Sequence, residues 1–358
     1  MRSSVIIDRL IQQGHEVHIV VSGDAGEFLE RRYPSLEVTR IWGLTLVLED
    51  NEVNNWSTLT ENVRTAMTGL PKNVQKFFEV GRKFDADIVL SDFEMWSWMF
   101  AKYHGIPLIA IADHFLMTRC SIDPRVVEGF EDEYRTAQIV TNARIPNADH
   151  YVVPSFVEAD YTKQRTTLVP PLLRSRVMQT QPTDGEHLLA YQTPCSKFSL
   201  TPYLRKLDRK VYVYGAKKNI DRDIQEGNIV YRPFSETQFI RDLASCHAVT
   251  AFSGFKLITE SLHFGKPFYA IPVQGQFEHI CSARYVDELG YGRCDLKPST
   301  PALESFLERV PEYKENLRDY DSTTNRYTFE TIDQLLERHA NKPARLYQPP
   351  PVERTAAE

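Results

Sequence analysis

The stretch AVTAFSGFKLITESLHFGKPFYAIP, residues 248–272, decides the fold that this sequence predicts. Its apolar runs and its Gly and Pro residues predict a strand over 248–251, a turn at Ser253-Gly254-Phe255, a helix over 256–264 and a strand over 268–272. Strands that alternate with helices build parallel sheets, because the helix carries the chain back before the next strand begins. The stretch therefore indicates an open α/β sheet.

The turn in this stretch has the chemistry of an anion site. A strand that runs directly into a helix leaves unpaired N–H groups at the positive helix end, and Gly254 lets a diphosphate approach the backbone closely. Glu260, further along the helix, can accept both hydroxyls of a ribose, and Gln274, Gln276 and Glu278 offer acceptors for sugar hydroxyls in the next loop. A lone glycine turn is more often a plain connection, so the interpretation depends on its context.

Further α/β elements precede this stretch. The sequence predicts strands over 188–191, 211–214 and 229–231, with helices over 200–207 and 239–245. Earlier still, it predicts an opening helix that Gly14 ends, strands over 17–21, 88–90 and 108–112, a helix over 95–104, and a helix over 61–84 broken at Gly69-Leu70-Pro71.

Two α/β domains therefore follow one another in the chain. The expected divisions are an N-terminal domain over 1–167, a Pro-rich linker over 168–186, a C-terminal domain over 187–323, a last helix over 324–340 and a disordered tail over 341–358.

Composition narrows the class of protein. The 358 residues carry a formal charge of −6, which offers no basic footprint for nucleic acid, so neither DNA nor RNA is expected as a partner. The five cysteines form no CxxC pair, and a reducing cytoplasm is the simpler setting. No apolar run approaches the length of a membrane span, so we expect a cytoplasmic protein whose contact with a membrane, if any, is peripheral at the inner face.

The segment that follows the turn carries a family resemblance. Residues 253–292, SGFKLITESLHFGKPFYAIPVQGQFEHICSARYVDELGYG, resemble the donor-site segment of GT-B glycosyltransferases. Many members show, in this order, a Gly-rich turn, a helix with a glutamate, Gly-Lys-Pro, a strand ending in proline, Gln-Phe-Glu-Gln, an Asn-Ala pair and a Leu-Gly-x-Gly turn. The resemblance implies the GT-B fold, two Rossmann-like parallel-sheet domains facing across a cleft. The UDP-N-acetylglucosaminyltransferases of lipid-linked peptidoglycan precursor synthesis are among the similar members.

The resemblance also implies roles for particular residues. Ser253, Gly254 and Phe255 would hold the donor diphosphate, Glu260 its ribose, and Gln276 with Glu278 the donor sugar. Arg232 and Phe234, just after a strand, resemble the loop that meets the base. The chain departs from the pattern at His279, where glutamine is usual, and at Ser282, where asparagine is usual, so the donor sugar stays open.

The N-terminal half resembles the same family more weakly. Asp92 and Asp113 each follow a predicted strand, where they would face the cleft, and His114 adjoins the second of them. Asp92 is the candidate catalytic base, while Asp113 and His114 are candidates for binding the acceptor. An aspartate at a strand end is also a common helix N-cap, which is the alternative for both carboxylates.

One part of the family pattern is missing from the printed chain. Members normally open with a strand and a loop such as Gly-x-Gly-His, whereas this chain opens at the following helix. We therefore expect the first strand and its loop to be absent, which would leave two neighbouring strands unpaired. A start site placed too far downstream is the preferred explanation, and a damaged or inactive copy is the alternative.

Two other patterns favour structural explanations. Asp221-Arg222-Asp223 matches the Asp-x-Asp metal motif of another transferase fold, but it lies in a polar loop where a solvated charge run is the better account. Neither a metal nor another cofactor is indicated. The aromatic residues Phe93, Trp96, Trp98 and Phe100 could line an acceptor pocket, although core packing on a helix between two strands is favoured.

The sequence thus predicts an inverting, metal-independent transferase that moves a hexosyl group from a nucleotide-diphosphate sugar, with UDP the expected nucleotide, to a hydroxyl acceptor. A lipid-linked or cell-envelope saccharide is the acceptor class we favour. Two alternatives are a UDP-sugar 2-epimerase, which shares this kind of donor site, and a non-catalytic protein that binds nucleotide sugars. The Phe252-Ser253-Gly254-Phe255 turn favours transfer over epimerisation.

Overall fold

The computed structural model describes the backbone of most of the chain. The described residues are 2–23, 25–43, 48–49, 52–53, 55–192, 199–217, 219–320 and 325–340. The predicted disordered tail, 341–358, lies outside them.

The C-terminal domain is built on a seven-stranded sheet. Its strands are β9 Leu188–Tyr191, β10 Val211–Tyr214, β11 Ile224–Glu226, β12 Ile229–Arg232, β13 Ala248–Phe252, β14 Phe268–Ile271 and β15 Gly292–Cys294. Their order across the sheet is β11-β12-β10-β9-β13-β14-β15. All neighbours are parallel except the edge strand β11, which is antiparallel to β12. After β9 the chain adds strands on one side, and from β13 onward it adds them on the other. The order therefore reverses between β9 and β13, where open α/β sheets bind their ligands.

Helices cover both faces of this sheet. They are α9 Thr201–Leu204, α10 Glu236–Ser245, α11 Phe255–His263, α12 Phe277–Glu288, α13 Thr300–Glu308 and α14 Val310–Asn316. One apolar cluster joins α10 and α11 to one face of β13, and a second joins α13 and α14 to the other face. Burial on both faces explains why β14 is an apolar run and why β13 is apolar except for the buried Thr250.

The N-terminal domain contains eight described strands. They are β1 Ile19–Ser22, β2 Val38–Ile41, β3 Leu48–Glu49, β4 Glu52–Val53, β5 Val89–Ser91, β6 Leu108–Ile111, β7 His150–Pro154 and β8 Thr166–Val169. They form a parallel four-stranded sheet with the order β5-β6-β7-β8, a parallel pair β1-β2 and a short antiparallel pair β3-β4. In the described part of the chain, no strand joins β1 to β5. An apolar cluster that includes Val20 and Val89 holds the two sheets side by side instead.

The helices of the N-terminal domain are α1 Arg2–Gln12, α2 Ala25–Arg32, α3 Asn55–Lys83, α4 Met95–His104, α5 Leu116–Arg119, α6 Pro124–Val127 and α7 Glu131–Arg144. The predicted break in α3 is wrong, because Pro71 lies inside a continuous helix. A proline forfeits one N–H of the helix ladder, but tertiary contacts can offset that loss. Two residues later, the Asn73 side chain bonds both the N–H and the carbonyl of Trp42, at 2.7 and 2.8 Å, which fixes α3 against the end of β2.

The segment between the two sheets is more ordered than a plain linker. Residues 166–169 form β8, the last strand of the first sheet, and α8 spans Ser175–Gln179. The last helix, α15, spans Arg326–Ala340 and returns to the N-terminal domain, where Ile332 and Leu335 join the core beneath β6 and β7. The end of the chain therefore packs on the first sheet.

Helix α12 connects the domains. Its residues Phe277, Ile280 and Tyr285 share an apolar cluster with Met117 and Val126 of the N-terminal domain. This contact brings the carboxyl ends of both sheets towards one cleft. Among the described helices, none is both long and apolar enough to cross a membrane.

Candidate functional site

The turn after β13 lies at the point where the order of the large sheet reverses. Gly254 is the N-cap residue of α11, and it has no side chain to occupy the first N–H groups of that helix. A methyl group added to Gly254 would meet no described atom within 4 Å, so open space lies in front of the turn. An uncapped helix start beside open space has the geometry that an anion site requires, and the anion itself stays a prediction from the sequence.

The two residues beside Gly254 have different surroundings. Ser253 is fully buried, and its hydroxyl donates to the carbonyl of His279 at 2.9 Å. An anion at the turn would therefore meet backbone groups and not the Ser253 hydroxyl. Phe255 faces Phe156 of the N-terminal domain, with ring centroids 5.9 Å apart, and so lies on the wall of the cleft.

Glu260, expected at the ribose, is buried and already paired. Arg174 donates from Nε to Oε1 at 2.8 Å and from Nη2 to Oε2 at 2.6 Å, and it also reaches Oε1 of Glu236 at 2.6 Å. Lys256 Nζ lies 3.7 Å from Oε1 of Glu260, and burial lowers the pKa of Lys256 to about 7 although Glu260 opposes the shift. For Glu260 to accept ribose hydroxyls, Arg174 must share or release it.

Sequence reasoning missed both cations. Arg174 comes from the segment predicted as a linker and meets Glu260 across 86 residues, a pairing that local spacing cannot show. Lys256 had a local signal, because it precedes Glu260 by four residues on the same helix face.

The two residues predicted to meet the base, Arg232 at the end of β12 and Phe234 just after it, have different surroundings. Arg232 is largely buried, pairs with Asp223 at 2.5 Å and Asp242 at 3.0 Å, and lies over the Tyr212 ring at 4.0 Å. The ring of Phe234 is 77% exposed. Arg232 therefore anchors the loop, while Phe234 presents an aromatic face to solvent. The ion pair with Arg232 also gives Asp223, in the Asp221-Arg222-Asp223 run, a structural role.

The predicted carboxylates of the N-terminal domain come together. Asp92 follows β5, and Asp113 begins a short 3-10 helix after β6. The Arg2 guanidinium bridges them, with Nη2 2.5 Å from Oδ1 of Asp92 and Nη1 bonded to Asp113. Ser3 donates to the second oxygen of Asp92 at 2.6 Å. Arg2 and Ser3 were missed from the sequence because their partners lie about 90 residues or more away.

Arg2 changes the acidity of both carboxylates. Burial acts to raise the pKa of Asp92 and that of Asp113, but the adjacent guanidinium charge outweighs it, so each pKa is lowered. A carboxylate with a lowered pKa is a weaker proton acceptor. If Asp92 is the base that the sequence predicts, its contact with Arg2 would have to loosen for it to accept a proton readily.

His114 connects this cluster to the donor side. Its Nε2 lies 2.5 Å from Oε2 of Glu278, near the start of α12, and its ring stacks on Phe93 with centroids 4.3 Å apart. Burial acts to lower the pKa of His114, but Glu278 and Asp113 raise it to about 10, so the imidazole is charged at neutral pH. Phe93 has a φ of 58°, a strained value for a side chain of this size.

Of the four aromatic residues that could have lined an acceptor pocket, two pack in the core, as the favoured interpretation of the sequence predicts. Trp96 and Phe100 are buried against Phe77, with ring centroids 5.5 and 5.3 Å from it, so they belong to the core. Trp98 is half-buried and donates to the carbonyl of Pro146 at 2.6 Å. Phe93 instead stacks on His114, a residue of the candidate site.

One cavity between the domains is small. Residues of both domains line it, including Asp113, Phe156, Phe255 and Glu278, and they enclose about 20 Å³. That volume suits about one water molecule, whereas small-molecule pockets measure roughly 300 Å³ or more. This cavity by itself is therefore too small for a sugar. Gln276 is the N-cap residue of α12, the helix that carries Glu278.

The ion pair between His114 and Glu278 predicts a specific pH dependence. The folded pKa of His114, about 10, exceeds the ordinary value of 6.5. The contribution of the ion pair to stability is therefore fully present below about pH 6.5 and is lost as pH rises through about 10. The free energy of unfolding of the wild type minus that of His114→Gln, measured in urea, should shrink between pH 7 and pH 10.5. A difference that stays constant over this range would contradict the pairing.

These features define a class. An open sheet with an anion-accepting turn at its reversal point, facing carboxylates at the ends of a second parallel sheet, is the arrangement of the GT-B glycosyltransferases. A family model described as "Glycosyl transferase family 1" matches residues 1–311, and the chain belongs to that family. The protein is therefore a glycosyltransferase.

Relatives and solved structures agree with this assignment. An uncharacterized glycosyltransferase of Methanosarcina acetivorans is 24% identical over 374 residues, covering 94% of this chain and 93% of the relative. The calicheamicin glycosyltransferase CalG4 superimposes with a TM-score of 0.62 at 14% identity, over 94% of this chain and 95% of its own. Os79 of O. sativa, in complex with UDP, gives a TM-score of 0.65 at 14% identity, over 94% and 97%. At these identities the structural likeness shows the GT-B fold alone.

Proposed function

We propose that this glycosyltransferase takes its sugar from a nucleoside diphosphate, with UDP as the nucleotide, and transfers it with inversion to an acceptor hydroxyl. One observation carries the proposal: the open turn at Gly254, at the reversal point of the large sheet, leads into Phe255, which lines one cavity together with Asp113 of the other domain. The UDP complex of Os79, a protein of the same fold, supports the choice of nucleotide.

The donor would bind along the C-terminal domain. The N–H groups at the start of α11 would meet the diphosphate. Lys256 in the same helical turn, whose pKa is lowered to about 7, would add a positive charge on taking up a proton beside the anion. Glu260 would accept the ribose hydroxyls after Arg174 yields one of its bonds. Phe234 would stack on the base, while Gln276 and Glu278 would accept from hydroxyls of the transferred sugar.

The acceptor would bind between the two domains, at the N-terminal side. Asp92 would take the proton from the attacking hydroxyl as that oxygen forms its bond to the anomeric carbon and the bond to the diphosphate breaks. Asp113 and His114 would orient the acceptor. Negative charge that develops on the leaving diphosphate would be stabilised by the dipole of α11. Direct displacement of this kind inverts the anomeric centre.

A thermal-shift screen tests the choice of donor. Purified protein is heated with UDP, GDP and TDP sugars, and ligand at about 100 times its Kd should add about 2.7 kcal/mol of stability. UDP sugars should give the largest shift, followed by release of UDP when a suitable hydroxyl acceptor is added. Stabilisation by GDP or TDP sugars alone would contradict the nucleotide, and no stabilisation by any of the three would contradict the site.

Phe234 supplies a more local prediction. Its ring is 77% exposed and contributes little to the core, so Phe234→Ala should leave the melting temperature unchanged. Loss of base stacking, about 1–3 kcal/mol, should weaken UDP binding by about tenfold. Phe28→Ala, which removes another exposed ring on α2, is the matched control and should bind UDP like the wild type. Equal affinities for all three proteins would remove Phe234 from the base site.

A further inference from the structure

A second, larger groove lies outside the site described above. It has a volume of about 670 Å³, within the range of small-molecule pockets, roughly 300–1,000 Å³. Three helices line it: α1 of the N-terminal domain, α8 between the two sheets, and α15 near the end of the described chain. On each helix the lining residues are three or four positions apart, as with Arg326, Phe329 and Glu330 on α15. Each helix therefore turns one face towards the groove.

The charged side chains that line the groove already have partners. Arg326 donates to Glu330 at 2.7 Å, and Arg9 donates to Asp333 at 2.8 Å. Asp8 accepts from Arg32 at 2.6 Å. The charged lining residues are Asp8, Arg9, Arg326 and Glu330. Two are positive and two are negative, so this lining offers neither a net charge nor an unpaired one to a ligand.

The other polar side chains in the groove are neutral. Asn325 is committed to the backbone, since its amide bonds both the N–H and the carbonyl of Leu173, at 2.8 and 2.7 Å. Gln12, Ser175 and Gln179 are exposed, and their side chains make no hydrogen bond to another described residue. Amides and hydroxyls both donate and accept, so these three side chains can pair with a ligand hydroxyl in either sense.

Apolar side chains lie among these polar groups. Each helix supplies one of them, and they are Val5 of α1, Met178 of α8 and Phe329 of α15. A ligand that suits the groove therefore needs neutral hydrogen-bonding groups together with an apolar face. Sugars combine the two, because their hydroxyls point outward from rings whose C–H groups form apolar faces.

We propose that the groove between α1, α8 and α15 binds a neutral oligosaccharide. The amides of Gln12 and Gln179 and the hydroxyl of Ser175 would bond the sugar hydroxyls, while the apolar side chains would meet the C–H faces. The groove exceeds the lower limit for small-molecule pockets by about twofold, which favours an oligosaccharide over a single sugar.

This groove is separate from the catalytic site but adjoins it. It shares no lining residue with the small cavity between the domains. Arg2, which bridges Asp92 and Asp113, precedes Val5 by three residues on α1. Arg174, which holds Glu260, immediately precedes Ser175 of α8. A saccharide in the groove would thus be held by this glycosyltransferase at a point outside the cleft in which transfer is proposed.

Titration calorimetry with trisaccharides tests the inference. The full chain is titrated with maltotriose, cellotriose and triacetylchitotriose, which are neutral, and with trigalacturonate as the charged counterpart. We expect at least one neutral trisaccharide to bind. Trigalacturonate should bind at least about tenfold more weakly, because its carboxylates would lose water without gaining a charge partner.

Two double variants locate the binding. Gln12→Ala/Gln179→Ala removes two amides from the groove and should weaken binding of the neutral trisaccharide by about tenfold. The matched control is Gln13→Ala/Gln181→Ala, which changes two nearby glutamines that are equally exposed but do not line the groove. It should bind like the wild type. Since all four positions are exposed, both variants should keep the melting temperature of the wild type.

Three results would overturn the proposal. They are no binding of any neutral trisaccharide, equally tight binding of trigalacturonate, or equal affinities of the two double variants. The proposal goes beyond the proposed function, and no step of its test uses UDP. Failure of the groove to bind sugar therefore stays distinct from failure of the donor site.

Discussion

Arg174→Ala is expected to lower the free energy of unfolding by about 3–5 kcal/mol, because it leaves the buried carboxylate of Glu260 without its charge partner. Both Glu260 oxygens accept from Arg174, and the arginine also holds Glu236. Lys256 is 3.7 Å from one oxygen and supplies only part of the lost charge. Urea denaturation monitored by far-UV circular dichroism measures the effect.

Arg176→Ala is the matched control for this experiment. Arg176 lies on α8, two residues from Arg174, but it is exposed and bonds the hydroxyl of Thr237. Its loss should change the unfolding free energy by less than about 1 kcal/mol. Replacing both partners, as Arg174→Met/Glu260→Leu, should restore much of the stability, because no buried charge is left over. Equal effects of the two arginine variants would contradict the buried pair.

Asp92→Asn is expected to lower kcat by about 10²–10⁴-fold while leaving UDP affinity unchanged. The amide keeps the shape of the side chain, but it cannot accept the proton of the attacking hydroxyl. Because the Gly254 turn belongs to the other domain, donor binding should persist. Steady-state kinetics with a UDP sugar and a hydroxyl acceptor, together with UDP titration, separate the two steps.

Asp87→Asn controls for the loss of one carboxylate nearby. Asp87 is exposed in the loop before β5, and its replacement should leave kcat within about twofold of the wild type, since a surface charge of this kind contributes little. If Asp92→Asn retained full kcat, the base would have to be another group. A weakened affinity for UDP in the same variant would instead indicate a structural role for Asp92.

Part of the C-terminal domain could be predicted from the sequence, whereas the edge strands β11 and β15 and the helices α12, α13 and α14 were not predicted, and the helix expected over 200–207 spans only Thr201–Leu204. Strands β9 and β10 have the predicted bounds, 188–191 and 211–214, because a fully buried strand is an uninterrupted apolar run. The turn at Ser253-Gly254-Phe255 also lies where it was expected. Local patterns determine such elements, so the sequence was sufficient.

Long-range pairings could not be predicted in this way. The α3 break was expected from Pro71, yet the helix is continuous and Asn73, two residues later, bonds the distant Trp42. Arg2 and Arg174 occupy the carboxylates of both proposed binding sites from distant parts of the chain. Such partners meet only once the chain has folded, and no spacing in the sequence indicates them. The roles of Glu260 in ribose binding and of Asp92 as the base stay predictions. These contacts add to each role the condition that an arginine first loosens its contact with the carboxylate.

Titration calorimetry of UDP against the wild type and Gly254→Ala tests the central claim most directly. Gly254 has φ −67° and ψ 124°, which alanine adopts freely, and an added methyl group meets no described atom within 4 Å. The variant should therefore fold with an unchanged melting temperature. Its methyl group would stand where the diphosphate approaches the backbone, so UDP affinity should fall by about tenfold or more. Equal affinity in the two proteins, or no binding of UDP to the wild type, would contradict a nucleotide-sugar site at this turn.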